Sequence, residues 1–366
     1  RRMNALDKAL SEYLQKTPKS LTLLNILRLG AAQLLILETP PHAALKETVD
    51  LARARAPHGS GMVNAVLRRI IGGALEPLRE TPSWLFDSWC TSFGEKEALG
   101  VEAAHAVEPP LDITCPLDRD MWAERLGGVG LGAQSIRLRN HGAVSDLPGY
   151  ADGHWWVQDA GAAALVPLLG DLDGRRVLDI GAAPGGKTAQ LCSAGAHVTA
   201  IESSASRASR LRENAARLSL KAEIIVADAL HWQADKPFDV IVLDAPCTAT
   251  GTIRRHPDIL RTRKPADAKR MASQQRQLLE AAIRQLAPGG LLLYAVCSLQ
   301  HEEGPGQIER LLSGRFDVVP EPIDLSRLCD LPAHVPFDGA IRTSPADLAS
   351  SGGMDGFFAA LLRRTA

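Results

Sequence analysis

The sequence predicts an α/β protein in which an all-α amino-terminal domain precedes a doubly wound parallel sheet. Two patterns predict this. Apolar residues recur at helical spacing through residues 4–70, whereas short apolar runs alternate with helical segments from about residue 170 onward. Repeated β-α units of the second kind form sheets that are covered by helices on both faces. We therefore expect an all-α domain at 1–75, a small α+β connector at 76–165 and a catalytic domain at 166–366.

The apolar pattern predicts where the helices of the first domain lie. A long apolar stretch covers residues 21–37 and ends at Pro40-Pro41, since proline interrupts a helix. A third helix is predicted at 43–56 and a fourth at 61–70. No apolar signal region precedes the first helical pattern, and we expect the natural chain to begin upstream of Arg1.

The later elements follow from apolar runs of strand length. In the connector, which holds five of the six tryptophans, strands are predicted at 112–114 and 135–138. The end of the chain is expected to add antiparallel edge strands at 316–319 and 356–362. The buried strands of the catalytic domain are predicted at 176–180, 197–201, 223–227, 240–243 and 291–296, and its helices at 187–194, 205–218 and 265–286.

Composition excludes several classes of protein. Lys and Arg (41) balance Asp and Glu (42), so the chain is not a globally basic nucleic-acid binder, although a local basic groove is possible. No apolar run approaches the roughly 20 residues of a membrane helix. Six widely spaced cysteines without a C-x-x-C pair predict neither a disulfide framework nor a metal site, and they favour a reducing, cytoplasmic location. We expect a monomer.

A glycine-rich loop joins the predicted strand at 176–180 to the helix that follows it, and this loop has two interpretations. Gly181-Ala182-Ala183-Pro184-Gly185-Gly186-Lys187-Thr188 satisfies the G-x-x-x-x-G-K-[ST] pattern of phosphate-binding loops. The apolar strand that ends in Asp244 resembles the magnesium-holding strand of nucleotide hydrolases. The same loop also suits a nucleoside cofactor, because helix amino termini and glycines allow a ligand to approach the backbone.

Three carboxylates favour the cofactor interpretation. Glu202, Asp228 and Asp244 each end one of three successive strands, and parallel strands bring such ends to one crevice. Glu202 lies about 20 residues after the loop, where an acidic side chain binds ribose hydroxyls. S-adenosylmethionine carries a ribose and a sulfonium cation but no phosphate, so it fits this set of residues.

Two cysteines differ from the others by their position at strand ends. Cys247 follows Asp244-Ala-Pro246, and Cys297 ends the fifth strand, whereas Cys90, Cys115, Cys192 and Cys329 are expected to be small buried hydrophobic residues. Two thiols and a carboxylate beside a methyl donor suit cytosine C5 methylation. A thiolate adds to carbon 6, a carboxyl group on nitrogen 3 stabilises the developing charge, and a base later removes the carbon 5 proton.

These motifs together resemble the RNA cytosine-C5 methyltransferases, and among them the bacterial 16S rRNA enzymes of the RsmB/Sun/Fmu type. The motifs are the glycine loop, Asp244-Ala-Pro-Cys247 with Thr250-Gly251, Arg254-Arg255-His256-Pro257-Asp258, Cys297-Ser298 with Glu302-Glu303, Gln158-Asp159-Ala160 and Asp355-Gly-Phe-Phe358. The segments 24–32, 43–49 and 61–69 resemble the NusB-like RNA-binding domain of these enzymes. The resemblance covers nearly the whole chain.

The resemblance implies a Rossmann-like class I methyltransferase core and a role for each motif. The loop Gly181–Lys187 with Glu202, Asp228 and Asp244 would bind S-adenosylmethionine. Cys297 would be the nucleophile and Cys247 would assist product release. This chain differs from the usual pattern in having Val296 before the nucleophile and Gly304 after the two glutamates.

A basic segment follows the Pro-Cys motif and is the predicted RNA track. It adjoins the crevice and would contact phosphates. The predicted RNA-binding residues are Arg254, Arg255, His256, Arg261, Arg263 and Lys264, together with Arg68 and Arg69 of the fourth helix. The expected substrate is 16S rRNA, naked or in an early small-subunit particle. The alternatives are the same reaction on tRNA or another RNA, an inactive RNA-binding assembly factor, and a nucleotide hydrolase.

Overall fold

The computed structural model describes residues 1–365, and the chain divides into two compact units, Arg1–Ser83 and Trp84–Ala366. The first unit is a helical bundle, as predicted. Its four helices are α1 (Met3–Ser11), α2 (Leu21–Leu35), α3 (Pro41–Arg55) and α4 (Ser60–Ile70).

Local sequence signals explain how these helices begin and pack. The Ser20 hydroxyl accepts a hydrogen bond from the Leu23 N–H at the start of α2, and α3 begins with a proline at its first position. Apolar side chains of all four helices form one core. A Cβ at Gly30 would lie 2.4 Å from a Leu67 methyl carbon and 2.9 Å from the Thr48 methyl carbon, so a larger residue in α2 would require these side chains to shift.

The second unit contains two sheets. The smaller is antiparallel with strand order β2-β3-β1-β4, and it includes both strands that were predicted in the connector. This segment belongs to the same compact unit as the larger sheet, and the predicted boundary near residue 165 stays a prediction. The elements up to this point are α5 (Ser83–Phe93), α6 (Glu95–Ala106), β1 (Leu111–Thr114), α7 (Arg119–Leu126), β2 (Val129–Leu131), β3 (Ser135–Leu138), β4 (Trp156–Val157) and α8 (Ala160–Ala163).

The larger sheet has eight strands and confirms the predicted α/β core. Its order is β10-β12-β9-β8-β5-β6-β7, with β11 paired to β12, and β5 to β9 are parallel. Buried apolar clusters cover both faces. The elements are β5 (Arg176–Ile180), α9 (Gly186–Ser193), β6 (His197–Glu202), α10 (Ala205–Arg217), β7 (Ala222–Val226), β8 (Phe238–Asp244), α11 (Ile259–Thr262), α12 (Pro265–Gln285), β9 (Leu286–Val296), α13 (Pro305–Gly314), β10 (Val318–Pro320), β11 (Ala340–Arg342) and β12 (Phe358–Arg364).

The prediction for the end of the chain is wrong in one respect. β12 is antiparallel, as expected, but it is an interior strand that pairs with β9 on one side and with β10 and β11 on the other. Its first residues are fully buried, which an edge strand exposed to solvent would not require. The apolar run at 358–362 is therefore a signal of a central strand.

No helix within residues 1–365 is long and apolar enough to cross a membrane.

All six cysteines are free thiols. Cys115 is buried, and Cys90 and Cys192 pack partly against apolar clusters, but Cys329 is exposed. The expectation of a buried Cys329 is wrong: this residue ends a short 3-10 helix in a left-handed backbone conformation, and its side chain is exposed.

Candidate active site

The two candidate catalytic cysteines lie just beyond the ends of adjacent parallel strands. β8 and β9 are paired so that Asp244 is opposite Ala295, and Cys247 and Cys297 follow shortly after these residues. Their sulfur atoms are 3.4 Å apart. This is a contact between two thiols, since the sulfurs of a disulfide are about 2.05 Å apart. The strand register therefore brings together two side chains that are far apart in sequence.

The thiols share a cavity of about 380 Å³ with the predicted acidic residues. The cavity lies beyond the carboxyl ends of β5 to β9, the position at which open α/β sheets bind ligands. Further lining residues that the sequence analysis did not single out are Arg207, Ala249 and Gln274. The predicted residues that line the cavity are Gly181, Glu202, Asp228, Asp244, Cys247 and Cys297.

The glycine loop is shaped by close contacts with its neighbours. Gly181 has a φ of 80°, and a Cβ there would lie 2.4 Å from the Asp244 carbonyl oxygen. From α10, the Arg207 guanidinium donates to the Ala183 carbonyl at 2.9 Å and the Asn214 amide donates to the Pro184 carbonyl at 3.0 Å. Sequence analysis missed both residues, although their spacing of two helical turns places them on one face of α10.

Contacts at the start of α9 distinguish this loop from a phosphate-binding loop. The Lys187 ammonium, which is buried, donates to Asp244 Oδ2 at 2.8 Å. The Thr188 hydroxyl donates to Asp179 Oδ2 at 2.6 Å. The two side chains that would hold a phosphate and its magnesium ion are thus bound to carboxylates of the sheet. Loop residues 182–187 lie outside the cavity lining, which only Gly181 of the loop joins.

These contacts shift the pKa values of the loop residues. Burial raises the pKa of Asp179 to about 6, against a lowering effect of the Thr188 hydrogen bond and of Lys187. Burial lowers the pKa of Lys187, but attraction to Asp244, Asp179 and Cys297 outweighs it, and the net shift is upward. Lys187 is therefore a cation that pairs with Asp244, a residue of the cavity wall.

The acidic residues of the cavity fit a nucleoside cofactor. Glu202 is 2% exposed, and its Oε1 accepts a hydrogen bond from the Ser204 N–H at 2.9 Å. Its Oε2 has no hydrogen-bond partner among the described residues, although Arg207 Nη2 is 3.3 Å away as an ion pair. A buried carboxylate oxygen on a cavity wall calls for a donor, and a ribose hydroxyl is one. Asp228, which lines the same cavity, is exposed and accepts a hydrogen bond from the Leu230 N–H.

A buried carboxylate connects the two cysteine loops. Glu303 is 0% exposed, and each of its oxygens accepts two hydrogen bonds. The donors are the Thr248 N–H at 2.8 Å, the Thr248 hydroxyl, the Ser298 hydroxyl at 2.5 Å and the Gln275 amide at 3.1 Å. Thr248 and Ser298 directly follow the two cysteines. Sequence analysis had noted the Glu302-Glu303 pair but had not assigned it a role.

The predicted RNA track requires a correction at Arg254. Arg254 is 1% exposed, and its guanidinium donates to Asp355 at 2.8 Å and Asp159 at 3.1 Å. Arg255 binds the same two carboxylates and is largely covered. The prediction that Arg254 contacts phosphates is wrong, because its guanidinium is buried and forms ion pairs with Asp159 and Asp355. Arginine density in sequence does not distinguish a solvated cation from a paired one.

The other predicted RNA-binding residues occupy different positions. His256, Arg261 and Lys264 are exposed, whereas Arg263 is partly buried and donates to the Thr248 carbonyl at 3.2 Å. Arg68 and Arg69 are exposed at the end of α4, in the first unit. Their part in an RNA track stays a prediction. Within residues 1–365, no group of three or more His, Cys, Asp or Glu side chains is placed to hold a metal ion.

Comparison with known proteins decides between the two interpretations of the loop. Residues 166–363 match the family described as 16S rRNA methyltransferase RsmB/F. A ribosomal RNA small subunit methyltransferase B from Xanthomonas campestris is 36% identical over 99% of this chain and 86% of its own length. The corresponding protein from Pseudomonas putida is 36% identical over 99% of this chain and 87% of its own length.

The chain belongs to the RsmB/F family. It is therefore an S-adenosylmethionine-dependent methyltransferase of the 16S rRNA class, and the nucleotide-hydrolase alternative is wrong. Residues 1–72 match the NusB family, which confirms the predicted NusB-like domain.

A solved structure supports the Rossmann-like fold. The methyltransferase homologue from Pyrococcus horikoshii has a TM-score of 0.64 and 27% identity, covering 78% of this chain and 96% of its own. NSun6 from the same organism, crystallised with SFG, shares the fold with a TM-score of 0.67 at 19% identity, over 79% of this chain and 100% of its own.

Proposed function

We propose that this RsmB/F family member methylates carbon 5 of a cytosine in 16S rRNA through a covalent bond between Cys297 and carbon 6. The observation that carries the proposal is the 3.4 Å contact between the Cys247 and Cys297 sulfurs, on the wall of the cavity that also contains Glu202 and Asp228. A single thiol would serve the covalent step alone. A pair suits a reaction that must both form and release an adduct.

The cofactor would be held by the residues that line the cavity beyond β5 and β6. Glu202 would bind the ribose hydroxyls through Oε2, which accepts no hydrogen bond from the described residues, and Asp228 and the Gly181 backbone would complete the site. S-adenosylmethionine, when bound, supplies an electrophilic methyl carbon. The loop carbonyls of Ala183 and Pro184, fixed by α10, would keep this wall rigid.

The remaining residues act on the cytosine. The Cys297 thiolate forms a bond to carbon 6, and the electron pair of the 5,6 double bond makes carbon 5 nucleophilic. Asp244, in concert with the neighbouring Lys187 ammonium, would stabilise the charge at nitrogen 3. After methylation, the carbon 5 proton leaves to a base, the double bond re-forms and the Cys297 sulfur departs. Cys247 is placed beside that sulfur to assist this elimination.

The RNA must present an unpaired base to this cavity. A base within a helix cannot expose its carbon 6 face to a thiol, so a loop or a locally opened segment is the expected target. The exposed cations His256, Arg261 and Lys264 follow the Pro-Cys motif and would contact its phosphates, with Arg68 and Arg69 contributing from the first unit. Such a protein would act as a monomer in the cytoplasm, where small subunits assemble.

Transfer of a tritiated methyl group tests the reaction and the substrate together. The protein is incubated with labelled S-adenosylmethionine and, separately, naked 16S rRNA, assembled 30S subunits and total tRNA. We expect 5-methylcytosine in 16S rRNA after nuclease digestion and chromatography. Label confined to tRNA would favour the tRNA alternative, and no label in any RNA, despite cofactor binding, would favour the inactive assembly factor.

A further inference from the structure

The contact between Cys247 and Cys297 makes the choice of nucleophile an electrostatic question. Two thiols 3.4 Å apart cannot both ionise readily, because two negative sulfurs at that separation repel each other. At most one of the two sulfurs is therefore expected to carry a negative charge. The charges around the pair determine which sulfur carries the thiolate and which keeps the proton.

An anion lies on the Cys247 side of the pair. The four groups that bond the Glu303 carboxyl can all donate to it, and these hydrogen bonds favour the ionised form against burial, which raises the pKa of this carboxyl. Two of these hydrogen bonds come from Thr248, which follows Cys247, and one comes from the side chain of Ser298, which follows Cys297. The hydrogen bond with Cys297, burial, and the negative charges of Cys297 and Glu303 together raise the pKa of Cys247 well above its usual range.

A cation lies on the Cys297 side. The buried Lys187 ammonium interacts electrostatically with Cys297 and forms an ion pair with Asp244. Asp244 neutralises part of this charge through its 2.8 Å hydrogen bond. The Glu303 carboxylate has no cationic partner among its hydrogen-bond donors, so its charge is not neutralised in the same way.

We propose that Glu303 is the positioning residue that keeps Cys247 a thiol and so assigns the thiolate to Cys297, with Lys187 acting in the same direction from the other side. Glu303 touches neither cofactor nor substrate; it acts through the loops that hold the two sulfurs. The proton that Cys247 retains is then next to the Cys297 sulfur, which must be released after methylation. This inference rests on the proposed function for its meaning, but it concerns the protein alone.

Site-resolved alkylation tests the inference without RNA or cofactor. Iodoacetamide forms a sulfur–carbon bond with a thiolate and releases iodide, so the rate at each cysteine, followed by peptide mass spectrometry near neutral pH, reports its thiolate fraction. The exposed Cys329 is the internal reference. In the unmodified sequence we expect Cys297 to react about tenfold faster than Cys247. A tenfold ratio corresponds to a difference of about 1.4 kcal/mol between the two sulfurs.

Two substitutions should shift this ratio through different cysteines. Glu303→Gln should accelerate Cys247, and Lys187→Met should slow Cys297, with Cys329 unaffected. The matched control is Glu302→Gln, which removes the same charge from an exposed neighbour and should leave the ratio unchanged. A ratio that stays the same in Glu303→Gln, or that moves equally in Glu302→Gln, would overturn the proposal.

A second measurement avoids the buried substitution in case Glu303→Gln does not fold. Cys247 is alkylated in Cys297→Ser and Cys297 in Cys247→Ser, so that each thiol is measured without its partner. The proposal requires Cys297 to remain the faster of the two. Equal rates, or a faster Cys247, would show that the surrounding charges do not distinguish the sulfurs. Failure of methyl transfer with the expected alkylation pattern would instead refute the proposed function.

Discussion

Replacing either cysteine should stop the proposed reaction at a different step. Cys297→Ala is expected to bind cofactor and RNA but to form no adduct, because the bond to carbon 6 cannot form. Cys247→Ala is expected to form the adduct and to release it slowly, since elimination lacks its assisting thiol. Incubation with 16S rRNA and S-adenosylmethionine, followed by denaturing electrophoresis, measures the retained protein–RNA species.

Cys192→Ala is the matched control for this pair. It removes a thiol of the same unit that lies outside the cavity lining and should leave the reaction intact. The reverse pattern, an adduct in Cys297→Ala and none in Cys247→Ala, would assign the nucleophile to the Pro-Cys motif instead.

Asp179 gives a pH dependence that can be isolated by a single substitution. Burial raises its pKa to about 6 from 3.8, so the folded state favours the protonated carboxyl. The protonated carboxyl stabilises the folded state fully at pH values below its pKa in the unfolded chain. This stabilisation is lost as the pH rises through about 6. An asparagine at this position cannot ionise. The free energy of unfolding of Asp179→Asn, relative to that of the unmodified chain, should therefore increase by about 2 kcal/mol between pH 4 and pH 7.

Urea unfolding at several pH values measures this difference. Asp152→Asn serves as the control, because the Asp152 side chain is exposed. A stability difference for Asp179→Asn that is flat with pH would mean that Asp179 ionises in the folded protein as easily as in the unfolded one.

At the scale of elements, the buried ion-pair cluster joins three distant segments. Asp159 caps α8, Arg254 and Arg255 follow the Pro-Cys loop, and Asp355 precedes β12. Asp159 also accepts from the Asp355 N–H at 2.8 Å. Burial and the charge of Asp159 raise the pKa of Asp355 to about 7, against the effect of both arginines. The cluster holds the loop behind Cys247 to the sheet.

Arg254→Met should therefore act on stability rather than on RNA contact. Breaking a buried pair leaves uncompensated carboxylates and costs roughly 3–5 kcal/mol. Lys264→Ala, at an exposed position of the same segment, should leave the melting temperature unchanged and weaken RNA binding several-fold. Calorimetry and filter binding on both variants measure the two effects. An unchanged melting temperature for Arg254→Met, together with weakened RNA binding, would restore the original prediction for Arg254.

At the scale of the whole molecule, the two units have separate tasks in the proposed function. All cavity-lining residues lie between Ile180 and Cys297, in the second unit, and each buried apolar cluster lies within one unit. A fragment of residues 84–366 is expected to unfold cooperatively and to bind S-adenosylmethionine with unchanged affinity. Its affinity for 16S rRNA should fall about tenfold or more, because the NusB-like helices are missing.

Calorimetry with the cofactor and filter binding with rRNA test the fragment beside the full chain. Loss of cofactor binding in a folded fragment would show that the first unit contributes to the cavity. Undiminished rRNA affinity would remove the NusB-like unit from the proposed RNA interface.

The sequence by itself determined the element types, the parallel core and the residues at strand ends. Apolar periodicity is a local property, and strands such as β5 and β8 appear within a few residues of their predicted bounds. The acidic residues and both cysteines were also identified correctly as neighbours, because parallel strands necessarily bring their carboxyl ends to one edge.

Only the tertiary structure decided which charges are available. Arg254 and Lys264 look alike in sequence, yet one is buried against two carboxylates and the other is exposed. Glu303 became a candidate positioning residue only when Thr248 and Ser298 were seen to donate to it from two loops. The position of β12 inside the sheet was decided in the same way. Pairing, burial and strand order depend on partners distant in sequence, and no local pattern contains them.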